Sequence, residues 1–129
     1  MSFDPRALPD AVLSFLRDRH LATLTTLRAD GSPHVVAVGF TWDDDAHLAR
    51  VITNGTSRKV AHARLGGRAV VAQVAGPNWL SLEGVVSVSE DPARVAEAVR
   101  RYAERYRQPA VNPQRVVLEI AVDRVLGRA

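Results

Sequence analysis

The chain of 129 residues contains no cysteine. Disulfide bonds, thiolate metal sites and thiol nucleophiles are therefore excluded. A chain without disulfides suits a reducing compartment, and the N-terminal segment lacks the charged and then apolar pattern of a secretory signal. No apolar run approaches the roughly 20 residues that a membrane helix needs. We therefore expect one domain over residues 1–129, soluble and cytoplasmic, with no membrane partner.

Aromatic residues and lysine are also scarce. Aromatic side chains make up 5% of the sequence, and Lys59 is the only lysine, whereas arginine supplies most of the net charge of +3. A nucleic-acid-binding barrel presents basic and aromatic side chains along one strand face, and no such face is visible here. We expect no nucleic-acid partner, and the positive excess suits small acidic ligands instead.

Familiar catalytic and metal-binding patterns are missing as well. There is no Gly-x-Ser-x-Gly elbow, no Walker motif and no dinucleotide fingerprint. The histidines are scattered, and the acids 43–45 follow one another in a turn, where consecutive carboxylates diverge into solvent. We expect no metal site and assign no catalytic residue. His34 is expected at the surface, with a role as proton donor left open.

The segment 51–64 carries the most pointed functional signal. A β-branched run leads through Gly55 into an alanine-rich stretch with helical spacing, and Ser57, Arg58 and Lys59 lie at the junction. Unpaired backbone N–H groups and added cations at a helix start favour an anion. Thr56 or Ser57 is expected to cap this helix. The residues alone leave two interpretations open, a phosphate site and an ordinary capped helix with solvated cations.

Hydrophobic periodicity divides the chain into strands and helices. Gly84 inside the fifth strand suggests a bulge, and the near-continuous apolar run in the second strand suggests contacts on both of its faces. Helices are predicted over 8–17, 56–65 and 91–107, and strands over 21–27, 33–42, 47–53, 68–74, 79–88 and 115–122.

Six strands with short turns, and one helix inserted before the last strand, indicate a mainly β domain. We predict a six-stranded antiparallel barrel with peripheral helices, because most links are too short for parallel crossovers. On its strands, Gln73 is expected to face solvent, and Glu83 is expected to pair with an arginine of a neighbouring strand.

Several stretches resemble one known family. The residues 53–59, Thr-Asn-Gly-Thr-Ser-Arg-Lys, are similar to the Thr-Asn-x-x-Ser-Arg-Lys motif of the pyridoxamine-phosphate-oxidase-like flavin and deazaflavin split barrels. The hairpin 29–34 and the order of elements match too. Within this family the stretches 19–30, 34–41 and 79–84 resemble the actinobacterial branch that reduces biliverdin with coenzyme F420.

The resemblance implies a homodimeric split β-barrel of the FMN-binding type, with the cofactor in a groove at the dimer interface. It implies that Arg58 and Lys59 hold the cofactor phosphate with help from Ser57. It also places a set of residues beside the tricyclic ring: Val35, Val36, Ala37, Val38, Ile52 and Thr53. Trp79 stands where the oxidases carry a flavin-contacting glutamine, which favours F420 over the alternative cofactor, FMN.

The activity implied is hydride transfer from reduced F420 to a conjugated small-molecule acceptor, a tetrapyrrole such as biliverdin. The cofactor would supply the redox chemistry, and the protein would position it and supply the electrostatic environment. Arginines on the 91–107 helix are candidates to meet the cofactor's glutamate tail or the acceptor's propionates. Two alternatives remain open: a non-catalytic barrel that binds flavin, haem or F420, and an FMN-dependent oxidoreductase.

Overall fold

The computed structural model, which describes residues 1–129, contains eight strands: β1 (Ser2–Phe3), β2 (Ala22–Leu27), β3 (Pro33–Val38), β4 (Thr41–Asp43), β5 (Leu48–Asn54), β6 (Arg68–Ala75), β7 (Asn78–Ser89) and β8 (Arg115–Arg128). Seven of them are ordered β3-β2-β6-β7-β8-β5-β4, all antiparallel, with β1 paired to β8. Strands β3 and β4 form the two edges of the sheet and yet follow one another in the chain. The helices are α1 (Asp10–Arg17), α2 (Arg58–Arg64) and α3 (Pro92–Arg105).

Because only Gly39 and Phe40 separate the two edge strands, the sheet curls round until its ends meet without pairing. The fold is therefore a split antiparallel barrel with helices at its periphery, as the sequence predicts. Buried side chains in consecutive strands fill the interior, as in the register row Leu24, Val71, Leu82 and Val125. No helix is both long and apolar enough to cross a bilayer.

The prediction of six strands is wrong by two. The short strand β1 was missed, because two residues are too few to show a period. The single strand predicted over 33–42 is broken at Gly39 into β3 and β4. At Gly39 a Cβ atom would approach Tyr106 Cζ to 3.0 Å and Tyr102 Cε2 to 3.2 Å. The chain bends there because only glycine lets α3 pack this closely.

The bulge expected at Gly84 is present where β7 meets β8. Glu83 pairs with Arg124 and Gly84 with Val122, so Asp123 is the extra residue on β8. A Cβ atom at Gly84 would overlap the carbonyl oxygen of Ala121. The glycine thus allows the close backbone approach that the bend requires.

Helix boundaries follow their sequence signals. Asp91 caps α3, its carboxylate accepting a hydrogen bond from the Arg94 N–H at 3.3 Å, and Pro92 occupies the first helical position. Helix α2 ends before Gly66 and Gly67, which have φ values of 78° and 88°. Glycine adopts these left-handed conformations without steric cost.

Two polar residues expected in solvent are buried instead. Gln73 is only 1% exposed, and its amide joins Arg105 to the Phe15 carbonyl. Asp43 accepts a hydrogen bond from Arg50 at 2.7 Å and lies 3.2 Å from Arg101. Both predictions were wrong because the position of a residue in a strand or turn does not show whether a helix will pack over its side chain. The predicted partnership of Glu83 is confirmed, with arginine nitrogens at 3.1 and 3.8 Å on the two neighbouring strands.

Candidate functional site

The turn that follows β5 is held rigidly against the start of β8. Asn54 Oδ1 accepts hydrogen bonds from the N–H and the hydroxyl of Thr56, both at 3.2 Å. The Gly55 N–H donates to the Gln114 carbonyl at 2.8 Å, and a Cβ at Gly55 would lie 3.1 Å from that same oxygen. The motif segment is thereby fixed to a strand more than fifty residues later in sequence.

A cavity of about 250 Å³ opens beside this turn. Its apolar wall comes from β3, the β3–β4 bend, β5 and the loop after α3: Ala37, Val38, Gly39, Ile52 and Pro109. Its polar wall comes from the motif, α3 and the start of β8: Thr53, Asn54, Lys59, Tyr102, Asn112 and Arg115. Two side chains in the lining are cations and none is a carboxylate, so the cavity suits an anion with an apolar portion.

Lys59 is the half-buried cation of this cavity. No carboxylate lies within 4 Å of its ammonium group. Burial lowers the pKa of Lys59 below its usual value, since desolvation disfavours the charged form. A bound anion would supply the missing partner. The only lysine of the chain is therefore a half-buried cation that lines a cavity without acids.

Its neighbours in the motif have different surroundings. Arg58 is exposed, does not line the cavity and makes no ion pair. Ser57 occupies the N-cap position before α2, but its hydroxyl accepts no hydrogen bond from a helix N–H. Its Oγ lies 3.4 Å from Thr53 Oγ1. The Thr56 hydroxyl is bound to Asn54. The predicted side-chain cap of this helix is thus wrong, which leaves the Ser57 hydroxyl weakly engaged and able to meet a ligand.

The four β3 residues expected beside a ring divide between the two faces of the strand. Ala37 and Val38 line the cavity with Ile52 and Thr53. Val36 packs against the core, and Val35 is 56% exposed on the outer face. The apolar run in this strand therefore has contacts on one side and an uncovered surface on the other.

Trp79 is not brought to Lys59 within a single chain. It begins β7 and lines a separate cavity of about 430 Å³ with Phe3, Gly127 and Arg128. Its indole is 39% exposed and lies opposite Val74, which is itself 72% exposed. Trp79 therefore belongs to the outer apolar face of the sheet.

His34 is partly exposed and lies beside α2. Its ring packs edge-on against His62 with centroids 4.7 Å apart, and His62 Nδ1 lies 3.2 Å from the Thr26 hydroxyl. The Nδ1 atom of His34 is buried without a partner. Burial first, and then the nearby cations His62, Arg28, Arg58 and Lys59, lower the pKa of His34.

The arginines of α3 do not form the free cationic patch suggested by the sequence. Arg94 pairs with Glu119 at 2.7 Å, and Arg100 and Arg101 pair with acids of the same helix. Arg105 donates to the carbonyls of Asp18 and Phe40 and to Gln73. These guanidinium groups already have structural partners.

Sequence reasoning missed three polar residues of the cavity: Tyr102, Asn112 and Arg115. No local pattern marks them, because they lie 43 or more positions after Lys59. The pairing of β5 with β8 sets Asn54 opposite Arg115 and so brings Arg115 and the preceding Asn112 to the motif. The packing of α3 against β5 brings Tyr102.

Comparison with known proteins shows extensive similarity. Residues 8–129 match the family model described as pyridoxamine 5'-phosphate oxidase. A curated relative from Mycobacterium tuberculosis (strain CDC 1551 / Oshkosh), F420H(2)-dependent biliverdin reductase, is 58% identical over 122 residues. That alignment covers 95% of this chain and 89% of the relative.

Solved structures share the fold at lower identity. A conserved hypothetical protein from Mycobacterium tuberculosis has a TM-score of 0.78 and 22% identity, over 94% of this chain and 84% of that one. A protein described as F420 reductase has a TM-score of 0.72 and 22% identity, over 92% of this chain and 98% of that one. The architecture is therefore common to proteins whose sequences have diverged widely.

Proposed function

Because the chain belongs to the pyridoxamine 5'-phosphate oxidase family, we propose that it is an F420H2-dependent reductase that converts biliverdin to bilirubin. The observation that carries this proposal is the 58% identity, over 95% of the chain, to a relative with that activity. The acid-free cavity at Lys59 supports it independently, since the cofactor is a phosphate ester attached to an apolar ring system.

The residues of the cavity fit the phosphate and the arm that joins it to the ring. Lys59 is the unpaired cation for the phosphate. Thr53 lines the same cavity, and its hydroxyl lies 3.4 Å from the Ser57 hydroxyl, so both are candidate donors. Arg58 is exposed next to Lys59 and adds its charge from the solvent side. Ala37, Val38 and Ile52 offer an apolar surface to the ring.

When bound, reduced F420 supplies the hydride for the acceptor, and a proton completes the two-electron reduction. The chain contributes position and charge. Lys59 fixes the anionic end of the cofactor, and the turn at Asn54 is held by its bonds to Thr56 and Gln114. A rigid anionic anchor of this kind limits how far the reacting ring can move, which favours productive alignment.

The functional unit in this proposal is a homodimer. The outer face carries exposed apolar side chains on β3, β6 and β7, among them Val35, Val74 and Trp79. A second copy would cover this face, and it would bring Trp79 of one subunit to the ring bound by the other. This arrangement would explain why Trp79 is remote from Lys59 within one chain.

The test mixes the purified protein with F420H2 and biliverdin without oxygen and follows both chromophores. We expect reoxidation of one F420H2 for each biliverdin lost, and no reaction when reduced FMN replaces F420H2. Turnover with a different acceptor alone would keep the reductase class and reject biliverdin. A protein that purifies with tightly bound flavin or haem, and turns over nothing with F420H2, would contradict the proposal.

A further inference from the structure

The anion cavity contains a second cation that the motif does not include. Arg115 is the first residue of β8 and lies directly opposite Asn54 in the β5–β8 ladder. Arg115 is partly exposed and lines the same cavity as Lys59. A single phosphate diester carries one negative charge and would neutralise only one of these two cations.

The guanidinium of Arg115 is held in place and yet retains most of its donors. The Nη2 atom of Arg115 donates a hydrogen bond to the Ala110 carbonyl at 2.8 Å. This is the only hydrogen bond of the side chain. It pairs with no carboxylate. A guanidinium has five N–H donors in a fixed plane. The remaining donors are therefore preorganised for an acceptor that enters from the cavity.

Asn112 adds a second donor at the same wall. Its Oδ1 accepts from the Gln114 N–H at 2.9 Å, and its own carbonyl accepts from the Arg115 N–H at 3.1 Å. These two bonds fix the loop and leave the side-chain amide nitrogen without a hydrogen-bond partner. An amide nitrogen and a forked guanidinium that line one cavity are suitable donors for a carboxylate.

The two cations line one cavity to which no carboxylate contributes. Neither Lys59 nor Arg115 forms an ion pair elsewhere in the chain. A ligand with one anion at each cation would therefore satisfy both, whereas a ligand with a single anion would leave one of them without a partner.

We propose that Arg115 and Asn112 form a second anion subsite, which binds the carboxylate that extends beyond the phosphate of the cofactor. The inference rests on the proposed function, because it assigns the cofactor's acidic tail to this wall of the cavity. This subsite would make the cavity bind a deazaflavin with such a tail more tightly than a deazaflavin in which no acidic group follows the phosphate.

The test measures equilibrium binding of two deazaflavins by fluorescence titration. One is F420 with its acidic tail, and the other is the methyl phosphodiester of the deazaflavin riboside, which keeps the single phosphate charge and lacks the tail. We expect Arg115→Gln to weaken F420 binding by about tenfold to a hundredfold and to change binding of the tail-less compound less than about twofold. Asn112→Ala should act in the same direction with a smaller effect. Lys59→Gln should weaken both compounds.

Matched controls separate local from general effects. Arg107→Gln removes an exposed arginine outside the cavity and should leave both affinities unchanged. Arg115→Lys keeps the charge and should retain more of the preference for the tail than Arg115→Gln. Thermal melting of each variant identifies any loss of folding.

The outcomes are distinct. Equal weakening of both compounds by Arg115→Gln would make Arg115 a second phosphate ligand and overturn the carboxylate subsite. Unchanged affinities in both folded variants, Arg115→Gln and Asn112→Ala, would also overturn it. If the wild-type protein binds neither deazaflavin, both the proposed function and this inference are rejected. If it binds F420 tightly but substitutions of Arg115 leave the affinity unchanged, only the inference is rejected.

Discussion

Two adjacent cations of the motif differ in what surrounds them. Lys59 is half-buried in the cavity, and Arg58 beside it is exposed. A charge-assisted contact gains strength when water is excluded, whereas an exposed pair is screened. We therefore infer that Lys59 contributes more to phosphate binding than Arg58, although the motif presents them as equals.

The imidazole of His34 makes the protein sensitive to acid. Its folded-state pKa lies below the usual 6.5, chiefly through burial and next through His62 and other cations. As the pH falls through 6.5, the unfolded chain therefore takes up a proton before the folded protein does. The free energy of unfolding should decrease as the pH falls through this window, and the contribution is fully present above it.

Replacing His34 by glutamine should reduce that decrease, because the side chain no longer titrates. Urea unfolding at about pH 7.5 and at about pH 5 would measure the difference for wild type and variant. His20→Gln, which removes an imidazole outside the cluster, serves as the control and should keep the wild-type decrease. An identical decrease in wild type and His34→Gln would contradict the prediction.

Among the elements, α3 determines the shape of the bend between β3 and β4. The buried Arg105 donates to the Phe40 carbonyl at 2.6 Å, to the Asp18 carbonyl at 2.9 Å and to Gln73 Oε1 at 2.8 Å. The Tyr106 hydroxyl donates to the His20 carbonyl at 2.6 Å and accepts from the Phe40 N–H. The end of one helix thereby satisfies the backbone groups that the bend releases.

Arg105→Met should destabilise the fold by about 2–4 kcal/mol, because it removes three hydrogen bonds of a buried guanidinium and leaves the buried Gln73 amide oxygen without a donor. Chemical denaturation would measure this change. The control is Arg100→Met on the same helix, whose arginine is exposed and pairs only with Glu97 and Glu104. That variant should lose about 1 kcal/mol or less. Equal losses in the two variants would show that the bend does not depend on Arg105.

At the scale of the whole molecule, the outer face of the sheet is the surface without a cover. Val74 is 72% exposed and lies opposite Trp79, with Leu126 on the adjoining strand also exposed. Covering such side chains with a second copy would remove apolar area from water, which favours association by about 25 cal/mol per Å². The homodimer proposed above would bury this face.

Val74→Glu should convert the dimer to monomer, because the interface would then bury an unpaired carboxylate. Light scattering after size exclusion should give twice the chain mass of 14.0 kDa for the wild type and the single value for the variant. Val111→Glu makes the same change at a loop residue that is 97% exposed and should remain dimeric. A monomeric wild type, or dissociation by both variants, would reject this interface.

Much of the architecture was predictable because its signals are local. Alternation and turn residues predict β2, β5, β6 and β7 to within one or two residues. The Asp91-Pro92 pair predicts the start of α3, and Gly84 predicts the bulge. Such features depend on neighbouring residues and on backbone sterics, which a single sequence displays directly. The similarity of residues 53–59 to a family motif added the identity of the ligand class.

The tertiary structure alone decided which residues meet. Pairing of β5 with β8 brings Arg115 and Asn112 to Lys59, packing of α3 breaks the strand at Gly39, and helix cover buries Gln73 and Asp43. The fold also leaves Lys59 half-buried and Arg58 exposed, and it places Trp79 on the outer face of the sheet. These outcomes depend on contacts between segments far apart in the chain. The sequence by itself determined most of the helices and strands and marked residues 57–59 as a candidate anion site, because those signals are local. The tertiary structure decided which residues line the cavity, because that depends on contacts between distant segments.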